Sequence, residues 1–169
     1  MQTGSTKERV ATEARVTIRA RMDNPATVVP GAMAALMALG QAAQSGDIPE
    51  TTLNLVHLRA SQINGCSFCV DMHAGQAKRA GDTDQRVISV AAWREAPYYT
   101  AAERAALALT EAVTRLSDRS DPVPDDVWNE AVTHYDPPAL GGLLLNIATV
   151  NLWNRLNVAT RQVAGVWPA

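Results

Sequence analysis

Cys66 and Cys69, the only cysteines among 169 residues, stand in the stretch SQINGCSFCVDMHAGQAKRAG, and His73 follows four positions after the second. A dithiol with this C-x-x-C spacing takes up and releases two electrons by opening and closing one disulfide. If a helix starts near Cys66, directly after Asn64-Gly65, positions 66, 69 and 73 stack on one face at about 100° per residue. A cysteine in the first helical turn meets unpaired N–H groups and the positive end of the macrodipole, and both favour the thiolate. His73, at i+4 from Cys69, is spaced to accept the thiol proton or to pair with the thiolate as imidazolium. Such a thiolate attacks an electrophile such as a peroxide and becomes a sulfenic acid, which its neighbour condenses to a disulfide. An external dithiol then resets the pair by exchange.

Two blander readings compete: half of a structural zinc site, and a pair of inert buried cysteines. Zinc would need a fourth ligand from far along the chain. The other histidines are His57 and His134, and Asp71 falls on a different helix face. Thiol redox chemistry with no metal and no cofactor is therefore the expectation. His57, inside the apolar LNLVHLRAS, reads first as a core or interface histidine. His134, beside Tyr135 at a helix end, reads as a C-terminal capping charge. Trp93, Trp128, Trp153 and Trp167 read as packing anchors.

The punctuation that must position these residues is helical. Pro30 is expected in the first turn of a helix carrying Met33, Leu36, Met37 and Leu39 and closed by Ser45-Gly46. Pro49 opens a second helix, which Asn64-Gly65 ends, and a third runs from the cysteines to Ala80 with Gly81 as its left-handed cap. Asp82 with Gln85, and Thr100 with Glu103, have capping-box spacing. Pro124 and Pro137 open the last two helices. No run alternates apolar and polar β-branched residues, so the fold class is all-α, a bundle of roughly seven helices. The final helix, with Leu140, Leu143, Leu144, Ile147, Val150, Trp153 and Leu156, is apolar on most sides, so it is central to the bundle or shared between subunits. Residues 1–25 read as an arm or short helix, and residues 26–169 as one domain.

Composition sets the outer limits. Lys plus Arg is 15 against 17 Asp plus Glu, a net charge of −2, so nothing basic points to nucleic acid. The start, MQTGSTKERVATEARVTIRARMD, lacks the apolar core of a signal peptide. The most apolar stretch, LGGLLLNIATVNLWNRLNVA, is interrupted by Asn146, Asn151, Asn154 and Arg155, which argues against a membrane span. A soluble, cytoplasmic protein is expected, in which thiols rest reduced.

LVHLRASQINGCSFCVDMHAGQAKRAG, followed by AAWREAPYYTAAERAALALTEAVT and VNLWNRLN, resembles the alkylhydroperoxidase D-like core of the carboxymuconolactone decarboxylase family, from about Thr51 to Asn157. The resemblance implies an all-helical homo-oligomer (dimer, trimer or hexamer) and a peroxidase acting on hydroperoxides. It implies Cys69 as the peroxidatic cysteine, Cys66 as the resolving one and His73 as the acid/base partner. It also implies a dithiol reductant, a lipoylated or thioredoxin-like protein. The decarboxylase branch generally lacks the C-x-x-C. One departure stands out: active peroxidases of the family carry a glutamate twelve residues before the first cysteine, where this chain has Asn54. An amide neither gives up nor accepts a proton at useful pH. Phe68 also departs from members with a second histidine between the cysteines. His57, at i+3 from Asn54, is a candidate to take over the proton role. A redox sensor of weak turnover and a decarboxylase-type enzyme on the same scaffold stand as alternatives.

Overall fold

The computed structural model describes residues 17–44, 46–118 and 120–166. Among these, proline, glycine and short polar caps divide the chain into eight α-helices and two short 3-10 turns, with no strand. The helices are α1 (Pro25–Val28), α2 (Ala32–Ala42), α3 (Glu50–Ile63), α4 (Ser67–Arg79), α5 (Asp84–Ser89), α6 (Ala101–Thr114), α7 (Asp125–His134) and α8 (Pro137–Thr160). The all-α expectation holds. Seven helices correspond to α2–α8, and the eighth is the four-residue α1, capped by the Asn24 side chain. Of the arm expected over 1–25, residues 1–16 lie outside the described residues, as do Ser45 and Trp167.

Most of the expected boundaries hold. Pro49, Pro124 and Pro137 stand at the starts of α3, α7 and α8. Thr100 and Glu103 form the full capping box of α6. Two starts are corrected. Gly31, at φ 79°, caps α2, so Pro30 precedes the helix instead of entering it. Thr83, not Asp82, caps α5 by accepting from Arg86 N, because Asp82 is drawn into an ion pair with the Arg86 guanidinium at 2.5 Å. Gly46 packs against the first turn of α8. A Cβ there would lie 2.5 Å from Ala139 Cα, and its φ of 98° independently favours glycine.

Helix α3 is the hub, in contact with α4, α6 and α8. On one side Val56 joins Leu109, Leu143 and Ile147 in a core shared with α6, α7 and α8. On another, Leu55 and Leu58 pack with Ala77, Val90, Trp93 and Leu107. The long helix α8 is buried along Leu143, Ile147 and Val150, yet Leu145 and Val158 face outward. Trp93 is buried, Trp153 part-buried and Trp128 exposed at 38%, so Trp128 is no core anchor.

A buried carboxylate locks α6 to α3. Glu111 Oε1 accepts from Arg59 Nε at 2.7 Å and Trp93 Nε1 at 3.0 Å, and Oε2 accepts from Arg94 at 2.6 Å. Burial alone would push its pKa up, but the bonds from Arg94, Trp93 and Arg59 hold it below the ordinary glutamate value. Glu103 follows the same pattern: burial opposes its charge, while Arg86 and Thr100 outweigh that.

Candidate functional site

The dithiol sits where α3 turns into α4. Gly65 takes φ 65° after the C-cap Asn64, which lets the chain reverse at once into the next helix. Cys66 is the N-cap of α4, and its Sγ accepts from Cys69 N at 3.3 Å. Cys66 and Cys69 are joined as a disulfide, with Cα atoms 5.3 Å apart, and both residues are buried.

His73 lies one turn beyond Cys69 and is also buried. Its Nδ1 is 2.8 Å from Gln76 Oε1, and against that acceptor Nδ1 carries the hydrogen while Nε2 keeps its lone pair. His57 comes in from α3, its ring centroid 5.0 Å from that of His73. Asn146 fixes the His57 tautomer. Its Nδ2 donates to Ala43 O at 2.7 Å and Gly142 O at 2.9 Å, so Oδ1 faces His57 Nε2 at 3.0 Å and that nitrogen carries the hydrogen.

Burial holds both rings neutral. It lowers the His57 pKa to about 4, against the opposing effect of the Asn146 bond. It lowers that of His73 to about 3, reinforced by His57 and opposed by Gln76. Two adjacent imidazoles therefore stand uncharged at the helix that carries the disulfide. Asn54, one turn before His57, is buried with no protein acceptor for its Nδ2.

The structure thus gathers Cys66, Cys69, His73 and His57, with Asn54 a turn away on α3. His134 lies elsewhere, at the end of α7 with Nε2 3.2 Å from Glu130 Oε1. It lines a cleft of about 630 Å³ with Thr52, Glu103, Tyr135 and Asp136. Neither cysteine nor His57 nor His73 lines that cleft. Among the described residues, no group of three or more His, Cys, Asp or Glu side chains is arranged to hold a metal ion. Nor is any helix there long and apolar enough to cross a membrane.

Gln76, Asn146 and Asn157 were not singled out as site residues from the sequence. Asn157 Nδ2 donates to Cys69 Sγ at 3.2 Å. The signal was present: asparagines at 151, 154 and 157 recur every third residue on an otherwise apolar helix. Asn151 and Asn154 both accept from Asn64, at 2.9 and 2.8 Å, and so clamp the turn that launches α4.

The family model of carboxymuconolactone decarboxylases matches residues 30–112. The uncharacterized protein YdfG of Bacillus subtilis is 36% identical over 132 residues, 78% of this chain and 88% of that protein. The chain belongs to the carboxymuconolactone decarboxylase family. A crystal structure of an Agrobacterium tumefaciens protein of unknown function, provisionally assigned to AhpD antioxidant defence, superposes on this family member with a TM-score of 0.80. The two are 35% identical, over 88% of this chain and all of that one. The debrominase Bmp8, 23% identical, shares the fold at a TM-score of 0.68 over 80% of this chain and 71% of its own. The family's fold here therefore carries a dithiol at the α3–α4 junction, with two neutral histidines beside it.

Proposed function

We propose that this carboxymuconolactone decarboxylase family member is a thiol-dependent peroxidase. The observation that carries the reading is the Cys66–Cys69 pair, bonded at the N-terminus of α4 one turn before a buried neutral His73. In the reduced protein, His73 takes the Cys69 proton, the adjacent thiolate charge offsetting the burial that keeps the ring neutral beside the disulfide. The thiolate attacks a hydroperoxide; an S–O bond forms, the O–O bond breaks, and the departing alkoxide recovers the proton from His73. The Cys66 thiol then displaces water from the sulfenic acid to give the disulfide. A lipoylated or thioredoxin-like dithiol protein reopens it by exchange. One hydroperoxide and one external dithiol yield one alcohol, one water and one external disulfide, a two-electron balance. His57, 5.0 Å from His73 between ring centroids, supplies the second proton station that Asn54 cannot.

We also infer self-association. Helix α2 buries none of its side chains, and its Met33, Met37 and Leu39 are exposed together with Leu145 of α8. Cytoplasmic placement accords with a dithiol that must be reduced each cycle.

One observation favours a second reading, a redox sensor of weak turnover: the residue at the family's glutamate position is a buried amide that does not ionise. The deciding experiment follows hydroperoxide consumption with a panel of dithiols. Steady turnover by the natural protein, abolished in Cys69→Ser, supports the peroxidase. A single stoichiometric oxidation supports the sensor, and activity surviving replacement of both cysteines by serine supports a decarboxylase-type reaction. Asn54→Glu is expected to raise peroxide turnover by about 10–100-fold by restoring an ionisable relay. Unchanged turnover and thiol pKa in His57→Gln would remove His57 from the proton path.

A further inference from the structure

Asn157 is one link in a series of oriented amides that ends on sulfur. Ala26 N donates to Asn24 Oδ1 at 2.9 Å, Asn24 Nδ2 donates to Asn157 Oδ1 at 2.6 Å, and Asn157 Nδ2 donates to Cys69 Sγ at 3.2 Å. The direction is forced from the backbone end. A peptide N–H only donates, so Asn24 must present its oxygen to Ala26 and its NH₂ to Asn157. Asn157 must then present its oxygen to Asn24, which leaves its NH₂ for the sulfur. Asn157 and Cys69 are buried, so no bulk water competes at the sulfur, while Asn24 is half-buried.

Cys69 needs such a donor. Its own backbone N–H is directed to Cys66 Sγ and so does not serve Cys69 Sγ. A buried thiolate with no donor would be costly. We propose that Asn157 is the hydrogen-bond donor that stabilises the Cys69 thiolate, and that Asn24 is a positioning residue that holds the Asn157 amide in its donating orientation. The proposal rests on the reading of Cys69 as the reactive thiol. It ties reactivity to the segment before α1, whose other anchors do not touch the site: Arg21 N donates to Thr160 O at 2.8 Å, and Gln162 Nε2 donates to Met22 O at 3.0 Å.

The test uses full-length protein in a Cys66→Ser background, so that one thiol is titrated. Its ionisation is followed by thiolate absorbance in the ultraviolet, with no peroxide present. Asn157→Leu is expected to raise the Cys69 pKa by about one unit, and Asn157→Asp by more, because an anion would face the forming thiolate. Asn24→Ala is expected to raise it by roughly half as much, since the freed amide then samples both orientations. Asn157→Gln, which keeps an amide donor, should recover part of the shift. Equal pKa values in Asn157→Leu and the parent would overturn the proposal. If Asn157→Leu does not fold, Asn24→Ala decides: a value equal to the parent's overturns the proposal as well. Because peroxide takes no part in the measurement, loss of the peroxidase reading leaves this outcome independently legible.

Discussion

Around Glu111 both oxygens of a buried carboxylate meet cations or N–H donors, from Arg59, Arg94 and Trp93. Around the sulfurs stand two neutral imidazoles, each held by one side-chain hydrogen bond, and a row of amides, of which Asn54 Nδ2 has no protein acceptor. Helix α3 serves both regions: Arg59 reaches the carboxylate, while His57 meets His73 of α4. The difference separates holding from reacting. A fully paired charge fixes one arrangement and resists any change of protonation. A neutral, sparsely bonded site keeps that freedom, which proton transfer around a thiol requires.

The contrast breaks most visibly if Glu111 is removed. Glu111→Ala leaves the half-buried Arg59 without its anion and is expected to cost about 3 kcal/mol, read from urea denaturation. The folded fraction should still close the Cys66–Cys69 disulfide. A loss below about 1 kcal/mol would mean the cluster does not hold α6 to α3.

Acid sharpens the comparison, because the two regions respond in different pH windows. His57 and His73 are neutral when folded down to about pH 4 and 3, whereas in the unfolded chain they bind protons below about 6.5. The unfolded state therefore gains protons first, and stability is complete above pH 6.5 and falls as the pH drops toward 4. The two groups together are expected to contribute about 2 kcal/mol per pH unit at the steepest point. Glu103 and Glu111 have lowered pKa values, so their contribution persists through that window and is lost only below the ordinary glutamate range. Denaturant midpoints between pH 4.5 and 7 should flatten in a His57→Gln, His73→Gln double variant. An unchanged slope would assign the loss to other groups.

The smallest effect belongs to a cap. Thr100→Ala removes the acceptor for Glu103 N while leaving the Arg86–Glu103 pair, and is expected to cost about 1 kcal/mol, a fall of roughly 2–4 °C in melting temperature. A much larger fall would show that Glu103 depends on Thr100 more than on Arg86.

Much of the framework was legible locally. The helix starts at Pro49, Thr100, Pro124 and Pro137 and the glycine stops at 65 and 81 depend on neighbours within four residues, and so did the stacking of Cys66, Cys69 and His73. Asp82 failed as a cap because Arg86 competes for its carboxylate, which no spacing rule registers. Trp128 failed as an anchor because α7 turns it outward. The asparagines of α8 read as interruptions of an apolar run. Their side chains instead turn inward to Ser61, Asn64, His57 and Cys69.

By itself the sequence determined the dithiol, its place at a helix start and the all-helical fold, since these follow from side-chain type and spacing over one or two turns. Only the tertiary structure decided what surrounds the sulfurs. Asn157 reaches Cys69 across 88 positions and Asn146 reaches His57 across 89, contacts set by the packing of α8 on α3 and α4. The same packing desolvates both imidazoles and keeps them neutral, because desolvation depends on which helices close over a ring and not on the residues beside it in the chain.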